Sequence, residues 1–328
     1  MDIVIWLTLL VSFVLTLVIG RFLIPELRKM KAGQSIREDG PTWHADKAGT
    51  PTMGGIMFII GTGVVILLLG WNQMLNGEFD HLYIYLFALV FGLIGFADDY
   101  RKVKRHQNEG LTARQKFVLQ LAAAVAFLCL MRYEGLLTNH LYVPFFNVSF
   151  TVDWIAYLVF AAFVIVGAVN AVNLTDGIDG LAASVTFVVM VFFTVTAGVL
   201  RLTPLNLFPA ALAGGLAAFF VYNRHPAKVF MGDTGSLFLG GAVAAMAFAV
   251  NMPLILVPVG IIYILETLSV IIQVGYFKAT HGKRFFKMAP VHHHLELSGW
   301  SEVRIVSVFS IVTLVLCVLS YFGIQGQL

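Results

Sequence analysis

Polar positions in this chain do not alternate with apolar ones at the period of a surface helix or strand. They are gathered into short clusters between long apolar runs. The hydrocarbon core of a bilayer is about 30 Å thick and takes roughly 20 apolar residues to cross as a helix. Ten runs of that order, bounded by charge, cover approximately residues 3–24, 53–70, 82–97, 117–133, 154–172, 181–200, 205–222, 237–250, 253–277 and 305–322. Each is expected to be helical, because hydrocarbon offers no partner to an open sheet edge. The pattern predicts an all-α integral membrane protein of ten transmembrane helices, one domain over residues 1–328, with its soluble mass in five loops on one face.

Composition agrees. The chain is 59% hydrophobic and 12% charged, with a mean hydropathy of +0.87, well outside the range of an ordinary soluble domain. The first apolar run has no basic leader and no small-residue cleavage pattern, so it is expected to be a retained span. Cys129 and Cys317 sit inside apolar runs and suggest neither a disulfide framework nor a metal cage. Orientation follows from lysine and arginine. Eighteen of the 21 basic residues, from Arg28, Lys29, Lys31, Arg37 and Lys47 through to Arg304, fall in loops that alternating topology puts on one face. By the positive-inside rule that face is cytoplasmic and both termini are outside. The net charge of +3 is then a topology signal, and no nucleic-acid binding is implied.

The chemistry lies where the runs meet that face. In the stretch VNAVNLTDGIDGLAA, the residues Asn170, Asn173, Asp176 and Asp179 recur at three-residue steps. Such steps turn back by about 60° on a helix, so the first three share a face if the helix persists. Asp98 and Asp99 end the third run, where the helix dipole disfavours an anion by about 0.3–1 kcal/mol; a partner has to offset that. Asp233 opens the eighth run, Lys47 and Thr52 precede the second, and His292, His293 and His294 lie in the last inner loop. Acids, lysines and histidines on one face suit a divalent cation holding phosphates. Mg²⁺ takes one or two carboxylates together with water and substrate phosphate oxygens, and Lys47, Lys102 and Lys116 are placed to neutralise the remainder.

Simpler roles exist for the same residues. Asp98 and Asp99 could be a solvated pair beside Arg101 and Lys102, and Asp233 an N-cap. The adjacent histidines do not share a helical face as an HExxH pair does, and Asn170 and Asn173 could serve helix packing. Glu266 falls inside the ninth run, where an ionisable group is a functional candidate by position. No GxxxxGK[ST] stretch is present, which removes a P-loop ATPase. A secondary transporter would gather polar groups at the midplane between inverted repeats, a pattern this chain does not show.

The segments DKAGTPTMGG, FADDYRK, NAVNLTDGIDGLA, VFMGDTGSL and PVHHHLE resemble, in order, those of the polyprenyl-phosphate N-acetylhexosamine-1-phosphate transferases. PVHHHLE discriminates most, since members that transfer N-acetylglucosamine phosphate carry a different histidine arrangement in that loop. The resemblance implies attack by undecaprenyl phosphate on the β-phosphate of UDP-N-acetylmuramoyl-pentapeptide, giving lipid I and UMP. It also implies a Mg²⁺ requirement and a homodimer in the bacterial cytoplasmic membrane. On it, Asp233 is the Mg²⁺ ligand and Asp98 and Asp99 are the essential pair near the lipid phosphate. Asn170, Asn173, Asp176 and Asp179 then line the nucleotide side with Lys47, Thr52, Lys102, Lys116, Asn223, Phe230 and Gln273, while His292, His293 and His294 meet the substrate or order their loop. Whether Asp98 acts as base, nucleophile or electrostatic positioner stays open, as does transfer of N-acetylglucosamine phosphate for another surface polymer.

Overall fold

A computed structural model describes residues 3–30, 47, 49–105, 107, 109–324 and 326. Lys31, Arg37 and Asp46 lie outside the described residues. In chain order the helices are α1 (Ile3–Lys29), α2 (Gly55–Leu69), the short α3 (Trp71–Leu75), α4 (Asp80–Arg105), α5 (Ala113–Tyr133), α6 (Trp154–Thr175), α7 (Leu181–Val199), α8 (Leu207–Asn223), α9 (Gly232–Ala249), α10 (Leu256–Val259), α11 (Ile261–Ala279), α12 (Val291–Glu296) and α13 (Glu302–Gly323). Every apolar run is helical, and eight of these helices are long and apolar enough to cross a membrane.

The differences from expectation are informative. The second and seventh runs form helices of 15 and 17 residues, about 22 and 26 Å at 1.5 Å per residue. The ninth run is not one span: a 3₁₀ turn (Pro253–Ile255) and α10 precede α11, because Pro258 lacks the N–H that a continuous ladder needs. The fold is also not wholly helical. Strands β1 (His140–Val143) and β2 (Val148–Thr151) pair antiparallel in the connection between α5 and α6, with Leu141 opposite Phe150.

Glycine seams assemble the bundle around α9. In its most apolar stretch α9 is 83% buried, whereas the corresponding stretches of α1, α5, α11 and α13 are each under 30% buried. A Cβ on Gly95 of α4 would run into the backbone carbonyl of Asp233, and one on Gly92 would press on Phe238. From the other side, a Cβ on Gly241 would meet Phe91 and Ala88. Likewise Gly240 lies against the backbone of Val169 on α6, and Gly55 of α2 against Gly235. Where every surface is apolar, small residues allow the backbone approach that dispersion needs. These seams bring the C-terminal parts of α4 and α6 onto the N-terminus of α9, and that is where the polar groups meet.

Helix starts are fixed locally. Thr112 caps α5 by accepting from Gln115 N at 3.2 Å, while Gln115 Oε1 accepts from Thr112 N at 3.0 Å. This capping box sets Lys116 in the first turn of α5. Ser301 caps α13 by accepting from Arg304 N, which places Glu302 at the favourable end of the helix dipole.

Candidate active site

Asp98 and Asp99 are adjacent in sequence but have different partners. The helix α4 runs on to Arg105, so the pair lies inside it and not at its end. Nor is the pair solvated, since the two residues are 1% and 3% exposed. Asp99 turns toward α9: its Oδ2 accepts from Thr234 N at 2.8 Å and Thr234 Oγ1 at 2.7 Å, and its Oδ1 from Asp233 N at 3.2 Å. It therefore caps α9 from another helix, satisfying donors that α9 leaves open. Asp233 does not cap the helix: it is the second residue of α9, which has no side-chain cap at Met231.

Asp98 turns the other way. Its Oδ1 accepts from Leu111 N at 2.7 Å, and its Oδ2 lies 2.6 Å from Lys102 Nζ and 3.2 Å from Lys116 Nζ. The same ammonium groups stand 3.0 and 2.6 Å from Asp233 Oδ2. Asn173 donates to Asp233 Oδ1 at 2.8 Å and to Ser236 Oγ at 2.7 Å, which fixes the Asp233 carboxylate from the α6 side. Thr52 borders this cluster, since a Cβ on Gly232 would meet both its hydroxyl and the Asp99 carboxylate. Gly232 has φ of +70°, a conformation glycine adopts without strain.

Asp176 stands just beyond the end of α6, half-buried. Burial, reinforced by the neighbouring charges of Asp233, Asp99 and Asp179, pushes its carboxyl well above the ordinary carboxylate range. With all four carboxylates ionised, Asp98, Asp99, Asp176 and Asp233 would outnumber the two ammonium groups by two, the charge a divalent cation supplies; without one, the raised Asp176 carboxyl keeps a proton instead. Geometry fits as well. Mg²⁺ holds oxygens at about 2.1 Å, so opposite ligands stand about 4.2 Å apart, and one oxygen each from Asp98, Asp99 and Asp233 lies within 4.8 Å of the others. A small contraction closes that spread.

The remaining anticipated residues are placed elsewhere. Asn170 donates to Gln120 Oε1 at 2.7 Å and to Val166 O at 2.8 Å, so it joins α6 to α5. Lys47 and Asp179 belong to a second polar cluster. Lys47 Nζ lies 2.8 Å from Asp179 Oδ1 and 2.7 Å from the Glu302 carboxylate. Asp179 Oδ2 also accepts from Ala227 N at 3.0 Å and lies 3.1 Å from His225 Nδ1. Asn223 is buried and works on the backbone, accepting from Gly180 N and donating to Val229 O. The main chain of Phe230 donates to Pro51 O and accepts from Gly54 N, both at 2.8 Å. Gln273 holds the 285–286 segment, accepting from Phe285 N and Phe286 N and donating to Phe286 O.

The histidine loop is a short helix, α12, and its three rings separate. His292 is fully buried with Nδ1 3.0 Å from Glu266 Oε2. His293 Nδ1 is 2.8 Å from Glu296, and His294 Nδ1 accepts from Lys287 N at 3.1 Å. Glu266 is thus buried against a partner. Residues that sequence reasoning passed over are Gln120, His225, Ser236 and Glu302. Only Glu302 carried a signal, an acid one residue after a capping serine.

A family profile described as glycosyl transferase family 4 matches residues 81–251, the segment that carries Asp98, Asp99, Asn173 and Asp233. The chain belongs to glycosyl transferase family 4. Within the family, residues 47–59 match signature 1 of phospho-N-acetylmuramoyl-pentapeptide-transferase. Proteins of that name are similar over nearly the whole length: one from Clostridium acetobutylicum is 46% identical, covering 97% of this chain and 98% of its own. Those from Caldanaerobacter subterraneus subsp. tengcongensis and Thermoanaerobacter pseudethanolicus are 48% and 50% identical, each covering 96% of this chain and 97% of its own. The profile of this family 4 transferase includes the acidic cluster, and the signature includes Lys47 and Thr52.

Proposed function

We propose that this chain transfers phospho-N-acetylmuramoyl-pentapeptide from its UDP donor to undecaprenyl phosphate, yielding lipid I and UMP in peptidoglycan synthesis. The observation that carries the reading is the cluster of Asp98, Asp99 and Asp233 with Lys102 and Lys116, inside a chain whose relatives of that name match nearly its whole length. The balance is simple: an oxygen of the acceptor phosphate bonds to the donor's β-phosphorus, and the bond from that phosphorus to the bridging oxygen breaks, releasing UMP. The acceptor is already an anion near neutral pH, so positioning and charge neutralisation matter more than removal of a proton.

Asp98 and Asp233 would hold Mg²⁺, which when bound supplies charge neutralisation for the pyrophosphate. This chain's own groups do the rest. Asn173 orients the Asp233 carboxylate, and Asp99 fixes the N-terminus of α9 beneath it. Lys102 and Lys116, bridging Asp98 and Asp233, would neutralise phosphate oxygens of the substrates brought to that cluster. Asp98 acts as an electrostatic positioner in this account. Asp179 and Lys47 hold the nucleotide end of the donor from the second cluster.

The reading includes ten spans, the short α2 and α8 among them, with both termini outside and the site at the cytoplasmic face. It is supported by the basic residues that flank the helix ends meeting there. A homodimer in the cytoplasmic membrane is part of the same proposal. The test is UMP release by detergent-purified protein given undecaprenyl phosphate and UDP-N-acetylmuramoyl-pentapeptide, with and without Mg²⁺. Mg²⁺-dependent release that disappears in Asp233→Asn is expected. Release only with UDP-N-acetylglucosamine as donor would overturn the muramoyl reading.

A further inference from the structure

The buried pair Glu266 and His292 belongs to neither of the two polar clusters described above. Both side chains are 0% exposed. Glu266 Oε2 accepts from His292 Nδ1 at 3.0 Å and stands 3.5 Å from His292 N, so α12 is anchored to α11 through one carboxylate. Two atoms of the pair, Glu266 Oε1 and His292 Nε2, are buried without a hydrogen-bond partner. A buried polar atom left unpaired is uncommon in a folded protein and calls for an explanation.

The direction of His292 Nε2 supplies one. A Cβ on Gly177 would collide with the Nε2 edge of the ring, so the imidazole lies directly behind the turn that carries Asp176. Gly177 itself is exposed. Any residue with a side chain there would push the ring away or wall it off. A carboxyl group with no exposure needs a polar partner, and the imidazole at 3.0 Å is that partner. Held so, Nδ1 is committed to Glu266, and Nε2 is aimed at the cleft wall, where a phosphate oxygen of the donor would be its partner.

We propose that Glu266 is a positioning residue for His292: it fixes the ring and its proton so that Nε2 meets a phosphate oxygen of the donor when the 176–177 turn gives way on binding. This rests on the functional reading above. A donor held ready for charge that builds during phosphoryl transfer acts on the transition state more than on the ground state, so its loss falls on kcat.

The test is a kinetic cycle with UMP release as readout, using wild type, Glu266→Gln, Glu266→Asp, His292→Asn and the Glu266→Gln/His292→Asn double variant. Partners that orient metal ligands commonly contribute 10–100-fold, and a carboxylate that orients a ring toward phosphate is expected to act on the same order. Glu266→Gln is expected to lower kcat by about that factor with KM for the UDP donor within about twofold, and Glu266→Asp to recover part of the loss. The double variant should be no slower than His292→Asn alone, because Glu266 acts only through that ring. If Glu266→Gln yields no folded protein, Glu266→Asp is read in the same cycle. Unchanged kcat in the Glu266 variants, or fully multiplicative losses in the double variant, would overturn the proposal. A wild-type protein that releases no UMP would instead overturn the functional reading.

Discussion

Neighbouring carboxylates invite the assumption of a shared role, and the structure predicts a separation of the two. Asp99 receives three hydrogen bonds from the first turn of α9, at 2.7, 2.8 and 3.2 Å, whereas Asp98 receives one from Leu111 N and faces two lysines. Replacing Asp99 by Asn keeps one accepting oxygen but turns an NH₂ toward a backbone N–H and removes the charge assistance. Hydrogen bonds to a charged group contribute about 1.5–3 kcal/mol each and neutral ones about 1. Loss of one and weakening of two amounts to about 3 kcal/mol. Relief of repulsion between the Asp99 and Asp233 carboxylates returns about 1 kcal/mol, leaving Asp99→Asn about 2 kcal/mol less stable. Asp98→Asn retains the bond from Leu111 N, leaves Lys102 and Lys116 paired with Asp233 and relieves the crowding of two carboxylates around them, so its cost is the smaller of the two. Both variants should lose most UMP release. Reversible unfolding in mixed detergent micelles, followed by tryptophan fluorescence and circular dichroism, measures the difference. An Asp99→Asn protein as stable as wild type, or an Asp98→Asn protein that loses more, would refute the division of labour.

Three further outcomes follow from the same geometry. The carboxyl of Asp176, raised by burial and by its acidic neighbours, binds a proton more tightly in the fold than in the unfolded chain; without metal, stability therefore falls as pH rises from about 4 toward that raised value. Added Mg²⁺ should restore it and release protons, as titration calorimetry in buffers of different ionisation enthalpy would show; the absence of proton release above pH 4 would count against it. Glu302→Gln weakens the hold on Lys47 and on Asp179 N, worth about 1.4 kcal/mol or tenfold in binding, and should raise KM for the UDP donor with kcat within about threefold. Gly95→Ala would drive a methyl into the backbone of Asp233, costing about 1–3 kcal/mol and most of the activity; a variant with wild-type stability would show that α4 and α9 can part without harm.

The apolar runs by themselves located the eight helices long and apolar enough to cross a membrane, because the length of hydrocarbon that a helix must cross is a property of the bilayer and is written one residue at a time. The acids at the run ends were likewise legible as candidates for one cluster, and Asp98, Asp99 and Asp233 do lie together. What spacing could not convey was which acid meets which partner. Asn170 and Asn173 share a periodic pattern, yet one joins α5 and the other holds Asp233. Lys47 meets Glu302 across 255 positions, and His292 meets Glu266 across 26, distances over which helical periodicity carries no information. The pairings of Asp99 and Asn173 with α9 depend on glycines that let α4, α6 and α2 close on it, so only the packed bundle decides that Asp99 caps a helix while Asp98, one residue away, faces Lys102 and Lys116.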